Sequence, residues 1–392
     1  MNDHRLELAD VFRTHQKDFL ARWNPVLSRQ QRRALRDIRN CRTAVLGGHL
    51  HECDRCGHRV IVYNSCRNRH CPKCQATARA RWLAQRQTEL LPVPYFHVVF
   101  TLPQQIGRLA LQNAKPIYNL LFRAASQTLL ETAAEPRLLG ASIGFLAVLH
   151  TWGQNLHLHP HLHCVVPGGG ISLDGSRWIT CPKSTFFLPV RVLSSRFRKK
   201  FLRQLEQAYC KGALRLCGEL RPLAELSAFR ALCEKASAID WVVHVKPPFG
   251  GPQRVLKYLA RYTHRVAISN HRLRSLEQGR VTFDWKDYAD RGRTKAMTLD
   301  AVEFMRRFLL HVLPSGMVRI RQFGFLANRV RQSKLEQCRT LLAVRQVPVS
   351  AGSDDGADPT LPDAQACPVC KLGRLIVVQL LGAPPTVLQD TS

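Results

Sequence analysis

The spacing of apolar residues along the chain predicts a mixture of strands and helices. Short apolar runs rich in β-branched and aromatic residues are typical of strands. Such runs occur at residues 93–103, 143–153, 161–166, 239–245 and 280–285. Segments with helical periodicity precede and separate them, at residues 1–40, 104–135, 190–236, 252–267 and 299–313. In the last of these segments, Asp300 is available as a cap near the start of the helix.

One segment lacks this apolar pattern. Residues 350–364, SAGSDDGADPTLPDA, are mostly Gly, Pro, Ser, Asp and Ala, a composition typical of a linker, and we expect a loosely held tail after it. We therefore predict five parts. They are an N-terminal helical segment at 1–40, a cysteine-rich module at 41–90, a main domain at 91–295, a helical C-terminal part at 296–347, and the linker with its tail at 348–392.

The charge of the chain narrows the choice of partner. The 392 residues include 58 Lys and Arg against 28 Asp and Glu, a formal net charge of +30. Such a surplus attracts polyanions, of which nucleic acid is the commonest. A membrane surface is the rival partner, but no run of about 18 apolar residues could span a bilayer. The N-terminus has acidic residues and no apolar signal-peptide core, so we expect a cytoplasmic protein.

In a reducing cytoplasm, the 14 cysteines are expected to be metal ligands or core residues rather than disulfides. Two Cys-x-x-Cys knuckles lie in CDRCGHRVIVYNSCRNRHCPKC, and two knuckles can close a tetrahedron of thiolates around Zn²⁺. The predicted ligands of one structural zinc are Cys53, Cys56, Cys71 and Cys74. Cys66 and His70 are alternative ligands. The knuckle of Cys367 and Cys370 has no visible partner. A remnant of a second ribbon is one interpretation, and the sequence alone assigns no metal to it.

The segment LHLHPHLHCVVPGGG places a histidine at every second position, at His157, His159, His161 and His163. Proline cannot donate to a strand ladder, so we expect the strand to begin after Pro160. His161 and His163 then project from one face about 7 Å apart along the strand and can converge on one ion. A lone His-x-His is more often a polar pair without metal, so this interpretation depends on a second motif.

That second motif is the predicted helix GGPQRVLKYLARYTHRV. On a helical wheel, Tyr258 and Tyr262 lie on the seam between an apolar side and a basic side, with Tyr258 nearer the basic side. The predicted DNA-binding residues of the basic side are Arg254, Lys257, Arg261 and Arg265. A phenol with a pKa of about 10 is a poor nucleophile, so it needs a phosphate that a metal has made electrophilic.

Together, these motifs resemble those of one known family. HPHLHCVVPGGG and YLARYTHRVAISNHRL are similar to segments of the rolling-circle transposases of bacterial insertion sequences, of the insertion-sequence-91 type. These are two-tyrosine HUH (His-hydrophobic-His) enzymes. HECDRCG with YNSCRNRHCPKCQ resembles the family's N-terminal zinc-binding region, and VTFDWKDYAD with EFMRRFLLHVLPSGMVRIRQFGFLANR resembles its C-terminal part. The resemblance covers roughly residues 10–345.

The resemblance implies an α+β fold: a small zinc-ribbon-like module, followed by an HUH-type central antiparallel sheet with flanking helices as the catalytic domain. It implies that His161 and His163 hold Mg²⁺ or Mn²⁺ and that Tyr258 and Tyr262 are the nucleophiles. The expected activity is transposition by cleavage and rejoining of single-stranded DNA through a 5′-phosphotyrosine, without a nucleotide cofactor. The protein would then be associated with the bacterial nucleoid through DNA.

Some questions stay open in the sequence. The third metal ligand is undetermined, with His271, His244 and Glu303 as candidates, and His157 and His159 are expected to lie outside the metal pair. A plasmid-type replication initiator or relaxase would use the same chemistry, although the zinc module and the C-terminal region favour the transposase. A zinc-containing nucleic-acid-binding regulator without catalysis is a third reading. The histidine pair argues against it, because a binding protein has no use for an open divalent site.

Overall fold

The computed structural model describes residues 5–182, 187–249, 266–288, 290–343 and 366–383. The helices in these ranges are α1 (Leu8–Trp23), α2 (Arg29–Asn40), α3 (Pro72–Gln87), α4 (Gln104–Gly107), α5 (Ala110–Ala134), α6 (Val190–Cys210), α7 (Leu226–Ser237), α8 (Ala301–Leu310) and α9 (Arg331–Leu341). Short 3₁₀ turns lie at Asn24–Val26, Ala44–Leu46, Gly218–Ala224 and Asn270–Arg272. None of these helices is both long and apolar enough to cross a bilayer.

In the described part of the chain the strands form four antiparallel sheets, which together with the helices confirm the predicted α+β class. The strands are β1 (Gly48–Cys53), β2 (Arg59–Tyr63), β3 (Tyr95–Thr101), β4 (Ala141–Ser142), β5 (Gly144–Trp152), β6 (Leu158–Pro167), β7 (Gly169–Ser172), β8 (Trp178–Thr180), β9 (Val243–Phe249), β10 (Leu273–Glu277), β11 (Arg280–Asp287), β12 (Arg293–Asp300), β13 (Ile320–Gly324) and β14 (Leu375–Leu381).

The central sheet has five strands in the order β13, β5, β6, β3, β9, and every neighbouring pair is antiparallel. Strands β5 and β6 are the predicted hairpin. Their register places His150 opposite His161 and Val148 opposite His163, and Val99 of β3 lies opposite His163 on the other side. Since alternate residues of a strand point to the same side, His150, His161 and His163 share one face of the sheet.

The other face of the central sheet is apolar and packs against α5 and α6. Phe96, Phe100 and Leu162 on this face are almost completely buried, and the rings of Phe100 and Phe197 meet edge to face with centroids 5.0 Å apart. These residues belong to the largest core cluster of the described chain. The core therefore holds the sheet from one side and leaves the histidines on the other.

A second core lies between the helices α1, α2 and α8 and the three-stranded sheet β10-β11-β12. Phe12 of α1 contacts Phe308 of α8 with ring centroids 5.6 Å apart, and Phe283 of β11 lies 5.7 Å from Phe304. Trp152, at the end of β5, belongs to the same cluster. The N-terminal helices and the second sheet are thereby packed next to the end of the strand that carries His150.

The composition of the central sheet differs from the sequence prediction. The strand predicted at 280–285 is β11, which lies in the second sheet. The fifth strand of the central sheet is instead β13, from a part of the chain that was predicted to be helical. The predicted boundary at residue 296 therefore does not separate this strand from the main domain. Asp300 does cap α8 as predicted, because its side chain accepts hydrogen bonds from the backbone N–H groups of Val302 and Glu303.

Strand β6 also begins earlier than predicted, at Leu158 rather than after Pro160. The pairing of β6 with β5 shifts register between the partners of His150 and Trp152. Proline lacks an N–H group and is tolerated in strands at such irregularities. The carbonyl of Pro160 still accepts a hydrogen bond, from the N–H of Leu102 at 3.0 Å. The opening of the histidine segment is therefore part of the strand.

The C-terminal segment 366–383 is not the loosely held tail that the sequence predicted. Strand β14 pairs antiparallel with β1, from Gly48 opposite Leu381 to Cys53 opposite Leu375. Strand β2 pairs with the other edge of β1, so the small sheet has the order β14-β1-β2. The end of the described chain is thus built into the N-terminal module.

The loop between β2 and α3 anchors that module to the rest of the molecule. Arg69 donates hydrogen bonds to the backbone carbonyls of three residues that follow α8: Leu313, Pro314 and Met317. The N–H of Leu313 in turn donates to Nε2 of His70. Burial lowers the pKa of His70 to about 3, so the ring is neutral and can accept this bond. His70 is therefore a packing contact and not the alternative zinc ligand considered from the sequence.

Candidate functional site

Three histidines of β5 and β6 come together on the sheet face opposite the main core. Potential ligand atoms of His150, His161 and His163 all lie within 4.8 Å of one another. The Nε2 atoms of His161 and His163 are 3.1 Å apart, and the ring centroids of His150 and His163 are 4.5 Å apart. His150 and His163 are buried, whereas His161 is partly exposed. The predicted pair therefore converges, and His150 completes a group of three.

Hydrogen bonds orient two of these rings. Nδ1 of His161 lies 2.6 Å from the backbone carbonyl of His159, so this nitrogen carries the proton and donates. Nδ1 of His163 lies 2.8 Å from Nε2 of His97, on the neighbouring strand β3. If Nδ1 is the protonated nitrogen in both rings, Nε2 has the lone pair that a metal ion requires. The two Nε2 atoms are the ones that face each other.

The state of His97 is consistent with this arrangement. Burial, with smaller effects of Lys246 and His244, lowers the pKa of His97 to about 3. A neutral imidazole offers one donor and one acceptor nitrogen, so Nε2 of His97 can accept the proton of His163. His97 was not among the site residues predicted from the sequence. The sequence did contain a sign of its role, because His97 lies within the strand predicted at 93–103 and alternates with the residues that face the core.

The donor set fits a divalent ion with open coordination positions. Cis ligands about 2.1 Å from an octahedral ion are about 3.0 Å apart, close to the 3.1 Å between the Nε2 atoms of His161 and His163. Three imidazoles leave other positions of such an ion to water or to phosphate oxygens. Oxygen ligands suit Mg²⁺ better than imidazoles do. Of the two ions expected from the sequence, Mn²⁺ is therefore the better match.

The residues considered from the sequence as the third ligand lie elsewhere. Glu303 forms salt bridges with two arginines of its own helix. His271 lies in a 3₁₀ turn, where its ring is hydrogen-bonded to a serine. His244 is on β9, and β3 lies between it and β6. None of the three belongs to the histidine group of the described residues.

The third member, His150, could have been found in the sequence. Two strands joined by a short turn pair in register, which brings the histidine near the end of β5 opposite His161. His157 and His159 lie outside the group, as expected. The ring of His157 is 3.0 Å from the guanidinium of Arg307, and His159 contributes its backbone carbonyl to the orientation of His161.

Eight cysteines form two groups of four, neither of which is the predicted zinc site. The first cluster consists of Cys41, Cys66, Cys71 and Cys74, and the second of Cys53, Cys56, Cys367 and Cys370. The two knuckles that were predicted to share one ion are thus divided between the clusters. Cys41 was not among the predicted ligands, because it follows α2 and belongs to no Cys-x-x-Cys pattern. Cys66, which was considered from the sequence as an alternative ligand, is a member of the first cluster.

The first cluster has the dimensions of a structural zinc site. The Sγ atoms of Cys41 and Cys66 each lie 3.6 Å from that of Cys74. Sulfurs in a tetrahedron with zinc–sulfur bonds of about 2.3 Å are about 3.8 Å apart. Hydrogen bonding to Cys66 lowers the pKa of Cys41 to about 7, and hydrogen bonding to Cys41 lowers the pKa of Cys74, whereas hydrogen bonding to Cys41 raises the pKa of Cys66 and Cys71. The spacing of the four sulfurs is therefore the feature that favours zinc, which binds thiolates.

The predicted nucleophiles Tyr258 and Tyr262 lie outside the described residues, as do the predicted DNA-binding residues Arg254, Lys257, Arg261 and Arg265. The described segments on both sides of residues 250–265 pack against strands or side chains next to the three histidines. Strand β9 pairs with β3. Ala267 and Ile268 are buried in the cluster that contains Trp152, whose ring stacks on that of His150 at 4.7 Å.

Two family models match the chain. A model described as "Transposase zinc-binding domain" matches residues 11–102, which include the whole first cysteine cluster. A model described as "Putative transposase" matches residues 144–334, which include His150, His161 and His163.

Individual proteins are also similar to this chain. The "Putative transposase y4qJ" of Sinorhizobium fredii (strain NBRC 101917 / NGR234) is 54% identical over 383 residues, which cover 95% of each chain. The "Transposase for insertion sequence element IS801" of Pseudomonas savastanoi pv. phaseolicola is 32% identical over 304 residues, covering 74% of this chain and 68% of that protein. Among solved structures, "Conjugative Relaxase Trwc In Complex With Orit DNA. Metal-Bound Structure" matches with a TM-score of 0.23 and 15% identity, over 43% of this chain and 70% of that one.

Proposed function

This chain belongs to the insertion-sequence-91 family of transposases, and we propose that it cleaves and rejoins single-stranded DNA through a 5′-phosphotyrosine intermediate. The observation that carries this proposal is the convergence of His150, His161 and His163 on one point. A divalent ion held there would make a DNA phosphate more electrophilic. The substrate of a transposase is DNA, a polyanion, and the net charge of +30 would attract it.

The histidines would hold Mn²⁺ or Mg²⁺ through their ring nitrogens. His159 and His97 position the rings of His161 and His163 before any ion binds. The backbone carbonyl of His159 accepts a hydrogen bond from Nδ1 of His161, and Nε2 of His97 accepts one from Nδ1 of His163. Such preorganisation reduces the cost of ordering the ligands on binding. The partly exposed side of His161 gives phosphate oxygens a way to the site.

Tyr258 is the proposed first nucleophile, because it lies nearer the basic side of its predicted helix. Its phenol oxygen bonds to phosphorus, and the bond from phosphorus to the 3′ oxygen breaks. A free 3′-OH is released, and the 5′-phosphate stays on the tyrosine. That hydroxyl can prime replication. Tyr262 takes a second strand in the same way, so one active site handles donor and target DNA.

The remaining parts of the proposal concern what binds and what is not needed. Arg254, Lys257, Arg261 and Arg265 would neutralise the phosphates of single-stranded DNA at the transposon ends and at the target. The phosphotyrosine conserves the energy of the broken phosphodiester bond, so no nucleotide cofactor is required. The flanks of segment 250–265 are attached beside the histidine face, which supports a site assembled from both.

The test is incubation with labelled single-stranded DNA carrying a transposon end, read as a covalent protein adduct on a denaturing gel. Wild-type protein with Mn²⁺ should form the adduct. His161→Ala and His163→Ala should not form it, whereas the matched control His159→Ala should, because its backbone carbonyl remains. Tyr258→Phe should lose the first adduct, and Tyr262→Phe should retain it without completing strand transfer.

Each other outcome has a defined meaning. Equal adduct from Tyr258→Phe and wild type would show that the order of the tyrosines is reversed or that they are interchangeable. An adduct formed with a plasmid origin sequence but not with a transposon end would favour a replication initiator or relaxase. DNA binding by wild type without any adduct, with either ion, would favour a regulator that does not catalyse.

A further inference from the structure

We propose that the second cysteine cluster, Cys53, Cys56, Cys367 and Cys370, binds a second structural zinc ion, which fastens the C-terminal segment to the N-terminal module. The matched zinc-binding model ends at residue 102, and the other model ends at residue 334. Both leave out Cys367 and Cys370. The first cluster is complete without the C-terminal segment, but the second cluster requires it.

The sulfur atoms of the second cluster have the spacing of a zinc site. The Sγ atoms of Cys53 and Cys370 are 3.7 Å apart, and so are those of Cys56 and Cys367. Zinc with four thiolates at about 2.3 Å requires sulfurs about 3.8 Å apart, whereas a disulfide bond would require about 2.05 Å. Both close distances join one knuckle to the other, so the four sulfurs converge as a single group.

The two knuckles have the same backbone geometry although they come from opposite ends of the chain. The N–H of Gly57 donates to the carbonyl of Cys53 at 3.1 Å, and the N–H of Lys371 donates to the carbonyl of Cys367 at 3.0 Å. Gly57 and Lys371 each follow the second cysteine of their knuckle, with φ of +67° and +59°. A side chain such as lysine rarely adopts this conformation. Lys371 nevertheless has this positive φ, which indicates that the surrounding structure imposes the knuckle turn at this position.

Further contacts interlock the knuckles. The N–H of Gly373 donates to Sγ of Cys370 at 3.3 Å, an interaction that stabilises a thiolate. A side chain at Gly373 would place its Cβ 2.5 Å from Sγ of Cys53, so only glycine fits. Asp54 and Arg374 are joined by two hydrogen bonds, from the N–H of Asp54 to the carbonyl of Arg374 and from the N–H of Arg374 to the carboxylate of Asp54.

The burial of apolar side chains around this cluster is too small to hold the C-terminal segment by itself. Its buried core consists only of Cys53, Cys367 and Leu375 among the residues that the structure describes. Along β14, the side chains of Val377, Val378 and Leu380 are exposed. Small modules with so little core are commonly stabilised by a metal. A zinc ion bound by both knuckles would supply that stabilisation.

Zinc content tests the proposal directly. Full-length protein purified without added zinc or chelator should contain about two equivalents of zinc by mass spectrometry of the metal. Cys370→Ser should lose one of the two. The matched control Cys210→Ser, which replaces an exposed cysteine outside both clusters, should retain both. One equivalent in folded wild-type protein, or two in Cys370→Ser, would overturn the proposal.

A second measurement requires no variant. Native wild-type protein is treated with an alkylating reagent, and the labelled cysteines are identified by peptide mass spectrometry. Cys56 and Cys370 should react slowly until a chelator is added, while the exposed Cys210 and Cys217 should react at once. If Cys56, although exposed, is alkylated as fast as Cys210 before chelation, no ion protects it and the second site is refuted. These results do not depend on DNA cleavage, so the proposed transposase chemistry could fail without affecting them.

Discussion

His97 provides a test of how the metal site is preorganised. The change His97→Leu removes the nitrogen that lies 2.8 Å from Nδ1 of His163 in a buried environment. Loss of such a hydrogen bond costs about 1–3 kcal/mol. Removing a group that orients a metal-binding histidine typically lowers metal affinity about 10–100-fold, which corresponds to about 1.4–2.7 kcal/mol. We expect the variant to fall in this range, because His163 would lose the partner that selects its tautomer.

The assay is the rate of covalent adduct formation with labelled single-stranded DNA as a function of Mn²⁺ concentration. His97→Leu should need about 10–100 times more Mn²⁺ for half the maximal rate, with most of the maximal rate recovered at saturation. His97→Gln, whose amide can accept a hydrogen bond near the position of Nε2, should restore most of the affinity. His159→Ala should behave as wild type, because the group that accepts the hydrogen bond from His161 is the backbone carbonyl of residue 159, which the substitution keeps.

Two results would refute this reasoning. The first is an unchanged Mn²⁺ dependence in folded His97→Leu, which would mean that the contact with His163 does not affect metal binding. The second is a lower maximal rate that neither excess Mn²⁺ nor His97→Gln restores, which would indicate a packing role for His97. Circular dichroism of each variant separates both results from a failure to fold.

Three other predictions concern zinc, the catalytic ion and DNA. Cys71→Ser should lower the free energy of unfolding by several kcal/mol in thermal unfolding, because structural zinc contributes about 10–16 kcal/mol of binding free energy in small modules. A similar loss of stability in Cys210→Ser would argue against zinc as the cause. Brief EDTA treatment should abolish the DNA adduct without unfolding the protein, and Mn²⁺ should restore activity at lower concentration than Mg²⁺; an adduct that persists in EDTA would exclude the histidine site as its source. If Arg254, Lys257, Arg261 and Arg265 each neutralise one phosphate, affinity for single-stranded DNA should fall about 50-fold between about 50 and about 200 mM salt, and a flat response would contradict their role.

Local patterns were sufficient to predict much of the chemistry. Alternation in a strand placed His161 and His163 on one face, and the structure brings their Nε2 atoms to 3.1 Å. The strands at 93–103 and 143–153 and the cap by Asp300 were also predictable, because each depends on residues near one another in sequence. The family could be identified for the same reason, since its motifs are short and contiguous.

Tertiary structure decided which residues share a site. Identical Cys-x-x-Cys turns can combine in several ways, and the combination observed depends on β14 pairing with β1, which joins opposite ends of the chain. Likewise, β13 enters the central sheet instead of β11 because strand pairing depends on long-range packing. His97 acquired its role through the register of β3 beside β6. The sequence thus determined which turns, strands and types of metal ligand were available. Their partners were selected by contacts between residues far apart in sequence, and a local pattern contains no information about the free energy of such contacts.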